Sequence, residues 1–278
     1  MLFFYSVLIG WNLDYFILSL FNGWGSSPDF FFNNVFLQST TSLSGIFQIV
    51  PFILIGIITI WVIIWIILSR NINDGIGKFC RVFVPLFLIL CVVLVIYELT
   101  LPGAYIGYMR VFSPNWSILG DLNIWLVAFS QVIFTLSLGY TLNMIYGSHL
   151  ADEEDLPITT LSIIIANCGF EIVNAIGIFS ILGFMSYSSG IPFDFLITQG
   201  TGLVFVALPT IFNILGPIGR VIGPIFFFSI VLIEISTIIG VLEPLIDSLS
   251  VEFDRTRKKL LVLLLLLVLL FLFYLHQD

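Results

Sequence analysis

The run LLVLLLLLVLLFLFYL, from Leu260 to Leu275, carries no charge and no alternation of polar with apolar residues. A membrane β-barrel strand alternates lipid-facing and lumen-facing side chains, so this run is not one. In a bilayer only helices and closed barrels satisfy their backbone polar groups, which leaves a helix. Seven apolar runs recur along the chain, at about 2–21, 51–69, 82–99, 124–146, 160–184, 222–247 and 260–275, each near the length that crosses a bilayer. The expected fold class is an all-α membrane protein of seven spans.

Composition agrees and excludes the alternatives. The 278 residues are 59% hydrophobic and 9% charged, where soluble domains carry about 25% charge. Lys and Arg total nine and the net charge is −8, so no basic face for nucleic acid can be built. Catalytic chemistry also lacks material. His149 and His276 form no cluster. Cys80 and Cys91 would stand about 16 Å apart along one helix, beyond disulfide reach. With Cys168 they read as small buried hydrophobes. No nucleophile–base pair or metal cluster appears, and an enzyme is not expected.

The connecting segments fall into two sets. The short ones, 70–81, 147–159 and 248–259, hold Arg70, Lys78, Arg81, Arg255, Arg257, Lys258 and Lys259. The long ones, 22–50, 100–123 and 185–221, hold only Arg110 and Arg220. Basic loops stay inside, so the amino terminus is expected in the cytoplasm and the carboxyl terminus outside. The whole chain, 1–278, reads as one transmembrane domain. Within it 185–221 is apolar but broken by Gly190, Pro192, Gly200, Gly202 and Pro209, which suggests an extracellular re-entrant or surface-lying hairpin.

Polar residues interrupt three spans. The fourth carries Gln131, Thr135, Ser137, Gly139 and Asn143 near its middle. Two readings are open there: a broken helix lining a site, or the small residues of an ordinary helix contact. The fifth carries Asn167 and Glu171, four residues apart and therefore on one face,. An ionisable group in a span is a functional candidate; the alternative is a structural carboxyl. The sixth carries Glu234, Ser236 and Thr237, whose hydroxyls either ligate a hard cation or bond the preceding turn. Gly219 and Gly223 at its start fit close helix packing. Asp14, on the face opposite Tyr5, is expected at the membrane interface.

The stretch SQVIFTLSLGYTLNMIYGS, Ser130 to Ser148, resembles the unwound sixth helix of the neurotransmitter:sodium symporter family. GLVFVALPTIF, Gly202 to Phe212, is similar to that family's large extracellular loop, and IEISTIIGVLEP, Ile233 to Pro244, to its eighth helix. FYSVLIGW, Phe4 to Trp11, resembles the tyrosine-bearing part of its third. The resemblance implies family helices three to nine of an inverted-repeat fold with a broken helix. It implies sodium-coupled symport of an amino acid or similar zwitterion by alternating access. Tyr5, Phe134, Thr135, Ser137, Tyr140, Thr237 and Val241 would surround the substrate. Thr135 and Asn167 would ligate one sodium ion; the Ile233 carbonyl, Ser236 and Thr237 would ligate a second. Gln131 would belong to the outer gate. Glu171 would supply the fixed negative charge that chloride supplies in other members. Glu234, three residues before Thr237, departs from the family pattern, and two readings are open: added charge near the second cation, or a proton site.

The resemblance begins inside the family's third helix and stops after the ninth. It therefore implies a partial transporter, with the first, second and tenth helices supplied elsewhere, a second polypeptide included. The alternative is a non-transporting remnant or interaction subunit of a membrane transporter.

Overall fold

A computed structural model describes residues 2–39, 50–70, 77–139, 143–144, 147, 155–196, 200–253, 259–264 and 266. The described residues form helices and turns, without strands. The principal helices are α1 (Leu2–Phe21), α2 (Pro51–Leu68), α3 (Lys78–Leu99), α4 (Ala104–Val111), α5 (Leu122–Thr135), α6 (Leu156–Ser189), α7 (Leu208–Ile214) and α8 (Gly219–Glu252). Among the described residues, five helices are long and apolar enough to cross a membrane: α1, α2, α3, α6 and α8. They match the first, second, third, fifth and sixth expected spans. The fourth is the shorter α5, which stops at its polar centre. Most of the seventh lies outside the described residues; 259–264 are helical.

Two helices outrun the apolar stretches that foretold them. α6 begins at a capped end: Asp155 accepts from the Ile158 amide at 3.2 Å, and a proline occupies the first turn, where its missing N–H costs nothing. It ends at Gly190, whose φ of +71° closes the left-handed cap that glycine favours. α8 carries Pro224 and Pro244 inside it.

The chain divides into two compact units, Met1–Cys91 with Thr198–Asp278, and Val92–Ile197. In the first, α1, α2 and α8 share a core that includes Ile9, Ile57, Ile60, Ile64, Ile239 and Leu242. Glycines set the α1–α2 spacing. A Cβ on Gly10 would sit 2.6 Å from the Ile57 side chain, and one on Gly56 would sit 2.7 Å from Asp14 Oδ2. Asp14 is thus not interfacial as its sequence position suggested. It is 2% exposed, because Gly56 leaves room for the carboxyl beneath α2. Beyond it Tyr15 sits in an aromatic cluster, 4.8 Å from Phe205, 5.1 Å from Phe36 and 5.4 Å from Phe227 between ring centroids. Gly219 and Gly223 pack as expected: a Cβ on either would meet Phe212.

In the second unit α4 lies directly on α6. A Cβ on Gly107 would run into the Phe179 carbonyl, and Gly103, at φ +82°, lies against Tyr187. Arg110 pairs with Asp194 at 3.2 Å and stands 5.8 Å from the centre of the Phe193 ring. The Glu98 carboxyl fills the space over Gly177. α5 buries none of its residues. The cysteines are free, and Cys168 is exposed rather than buried, since it lies on a face of α6 that nothing described covers.

Candidate functional site

The residues singled out in the sequence gather into two clusters, one in each unit. The first begins where α5 ends. Thr135 is its last residue. Ser137 and Gly139 then take φ of +53° and +84°, and helix reappears at residues 143 and 144. The break is closed by backbone bonds: the Leu138 amide donates to the Ile133 carbonyl at 2.9 Å and the Ser137 amide to Phe134 at 3.1 Å. Such back-reaching bonds satisfy the carbonyls a helix end leaves open. The Asn143 amide donates to the Leu136 carbonyl at 3.1 Å, across the gap. A left-handed φ at a residue with a Cβ costs about 1–2 kcal/mol, so Ser137 holds a strained position.

Thr135, freed at this break, meets α6. Its hydroxyl donates to Glu171 in a short contact, and the Asn167 amide donates to the Thr135 oxygen at 3.0 Å. Asn167 also reaches Glu171, at 3.5 Å. With its proton engaged on Glu171, the Thr135 oxygen keeps a lone pair beyond the one Asn167 uses. Three hard oxygen-bearing side chains therefore converge, with the carboxylate supplying negative charge, a donor set suited to an alkali or alkaline-earth cation. Ser137 is half-buried at the break, while Gln131 and Phe134 are exposed on α5. Tyr140 lies outside the described residues.

The second cluster lies on the seam of α1 and α8. Tyr5 meets the side chain of Thr237, with Glu234 close by. The Thr237 hydroxyl donates to the Ile233 carbonyl at 2.9 Å, so two oxygens expected to bind a cation lie side by side. Ser236 is in contact with Cys80 of α3, oxygen to sulfur 3.9 Å. Val241 is half-buried one turn beyond Thr237.

Sequence reading missed Asn12. Its amide donates to both Glu234 oxygens, at 2.9 and 3.1 Å, and to the Leu8 carbonyl at 3.1 Å. Asn12 is 4% exposed and Glu234 9%. The signal was available: Asn12 follows Tyr5 by seven residues, two helical turns on the same face. Among the described residues no group of three His, Cys, Asp or Glu side chains could hold a metal ion. Cation binding at the first cluster would thus rest on hydroxyl and amide oxygens beside the single carboxylate of Glu171.

Residues 24–277 match the model of the Sodium:neurotransmitter symporter family. An uncharacterised sodium-dependent transporter of Methanocaldococcus jannaschii is 36% identical over 260 residues, which are 93% of this chain and 53% of that protein. A sodium-dependent dopamine transporter of Caenorhabditis elegans is 31% identical over 166 residues, 60% of this chain and 27% of that one. The crystal structure of MhsT in complex with L-phenylalanine superposes with a TM-score of 0.77 at 30% identity, covering 98% of this chain and 58% of that one. The chain thus spans about half, or less, of the length of these relatives.

Proposed function

The chain belongs to the sodium:neurotransmitter symporter family, integral membrane proteins that are transporters and not enzymes, and from there we propose that it is the central portion of a sodium-coupled symporter for an amino acid. The observation that carries this reading is the convergence of Thr135, Asn167 and Glu171 at the break after α5. A broken helix at membrane depth exposes half-helix ends, whose dipoles and free carbonyls favour a zwitterion and a cation. Sodium enters as cargo. Thr135 and Asn167 bind one ion, with Glu171 supplying the charge that makes chloride unnecessary. The Ile233 carbonyl, Ser236 and Thr237 bind the other. Tyr5, Thr237 and Val241 contact the substrate from α1 and α8. Phe134, Thr135, Ser137 and Tyr140 contact it from the broken helix, and Gln131 serves the outer gate.

The proposal concerns these residues together with the helices that complete the longer relatives, on the same or a second polypeptide. The amino terminus faces the cytoplasm and 185–221 faces outside. The single transmembrane domain works by alternating access. Support for sodium and for an amino-acid substrate comes from the relatives' own descriptions and from the oxygen donors assembled in each unit. The deciding experiment is uptake of radiolabelled amino acids by proteoliposomes holding the complete transporter. A sodium gradient should drive accumulation, and Thr135→Val should cut it sharply at a sodium concentration that just saturates the native transporter. Accumulation unchanged by Thr135→Val would overturn the reading.

A further inference from the structure

Cys80 reads in the sequence as a small buried hydrophobe, and the structure gives it a polar neighbour. It lies in the first turn of α3 and is half-buried. Its Sγ stands 3.9 Å from the Ser236 Oγ of α8. The turn is fastened there by Phe79, which packs against the core that α8 shares with α1 and α2 and stacks on Phe83 at 4.6 Å between ring centroids.

Ser236 differs from the other hydroxyl residues of α8. Inside a helix a serine or threonine ordinarily donates to a carbonyl three or four residues back. Ser229, Thr237, Ser248 and Ser250 all do so, at 2.7, 2.9, 2.9 and 2.8 Å. The side-chain partner of Ser236 among the described residues is instead Cys80. Its hydroxyl is therefore turned off its own helix and toward α3. For a cation ligand this direction matters. A hydroxyl bonded back onto its own turn is committed to that carbonyl. A thiol is only a weak donor and a weak acceptor, so it holds the hydroxyl in place while leaving oxygen lone pairs for a cation. Sulfur is a soft ligand and a poor match for sodium, which hard oxygen suits; Cys80 does not bind the ion itself.

With Ser236 as a sodium ligand, the reading on which this rests, we propose that Cys80 is a positioning residue of the second cation site. Its thiol keeps the Ser236 hydroxyl off the Leu232 carbonyl and so presents Oγ to the ion. Loss of the thiol lets the hydroxyl fall back onto its own helix, as its four counterparts on α8 do.

The test is equilibrium binding of radioactive sodium by the complete transporter, at saturating amino acid. Cys80→Ala should raise the sodium concentration for half-saturation about three- to tenfold, at or below the usual effect of losing a group that orients a metal ligand. Cys80→Ser should recover most of this, since a hydroxyl also gives and takes a hydrogen bond. Added to Ser236→Ala, Cys80→Ala should change nothing further, because the thiol acts only through the serine oxygen. A merely structural contact would instead give losses that add. Native sodium binding in Cys80→Ala, additive losses in the double variant, or a Cys80→Ala defect that serine leaves unrepaired would each overturn the proposal. Native sodium binding in Ser236→Ala is a different result: it would remove Ser236 from the cation site, and the role of Cys80 with it.

Discussion

The Asn12 amide donates to both carboxylate oxygens of Glu234, at 2.9 and 3.1 Å, and so clamps α1 to α8 beside Tyr5 and Thr237. Among the described residues, this one neutral amide supplies the side-chain hydrogen bonds of a buried acid. Removing it strands the acid, while replacing the acid by an amide leaves a pair that can still bond. Asn12→Ala should therefore destabilise the chain by about 2–3 kcal/mol, and Glu234→Gln by less than half of that. Denaturant unfolding in lipid or detergent micelles checks the order, and equal losses would contradict it.

Thr135 supplies a hydroxyl where a valine would supply only the same volume. Thr135→Val should raise the sodium concentration needed for half-maximal amino-acid binding by about tenfold or more, the worth of one hydrogen-bonded ligand of about 1.5–3 kcal/mol. Thr135→Ser should restore most of it. Sodium titration of substrate binding by the complete transporter reads this, and unchanged affinity in Thr135→Val would remove this residue from the cation site.

In the proposed function Glu171 takes the place of chloride beside the cation. Uptake should be unaffected when chloride is replaced by gluconate, whereas Glu171→Gln should make uptake depend on chloride. A native transporter that stalls in gluconate would show that the carboxylate does not play this part.

Gly107 lets α4 lie on the Phe179 carbonyl, and a backbone neighbour cannot swing aside as a side chain would. Gly107→Ala should cost about 1–3 kcal/mol. Ser137 holds φ +53°, which glycine adopts without strain, so Ser137→Gly should gain up to about 1 kcal/mol and leave the break in place. Thermal unfolding of the two variants should move in opposite directions.

Periodicity and apolar length placed the long helices, because in a bilayer backbone satisfaction leaves few alternatives. The break after Thr135 was half visible: Thr135, Ser137, Gly139 and Asn143 crowd one stretch of an otherwise apolar span, which fitted a break and an ordinary helix contact alike until the family resemblance implied the break. Its partners were visible too, since Asn167 and Glu171 share a face at four-residue spacing. The placement of Asp14 was not. Its burial depends on the missing side chain of Gly56, a residue on another helix that no spacing rule links to it. The Asn12–Glu234 bond was half visible, as Glu234 stood out in its span while an asparagine looks unremarkable until its partner is known. The exposure of Cys168 depends on which faces of α6 are covered, and a linear pattern carries no such information.

The most direct test of the account is the ion dependence of amino-acid accumulation by the complete transporter in proteoliposomes, compared between the native chain and Asn167→Leu. The account predicts accumulation driven by sodium, absent when potassium replaces it, and lost in Asn167→Leu. Equal accumulation in sodium and potassium, or full sodium-driven activity in Asn167→Leu, would contradict it.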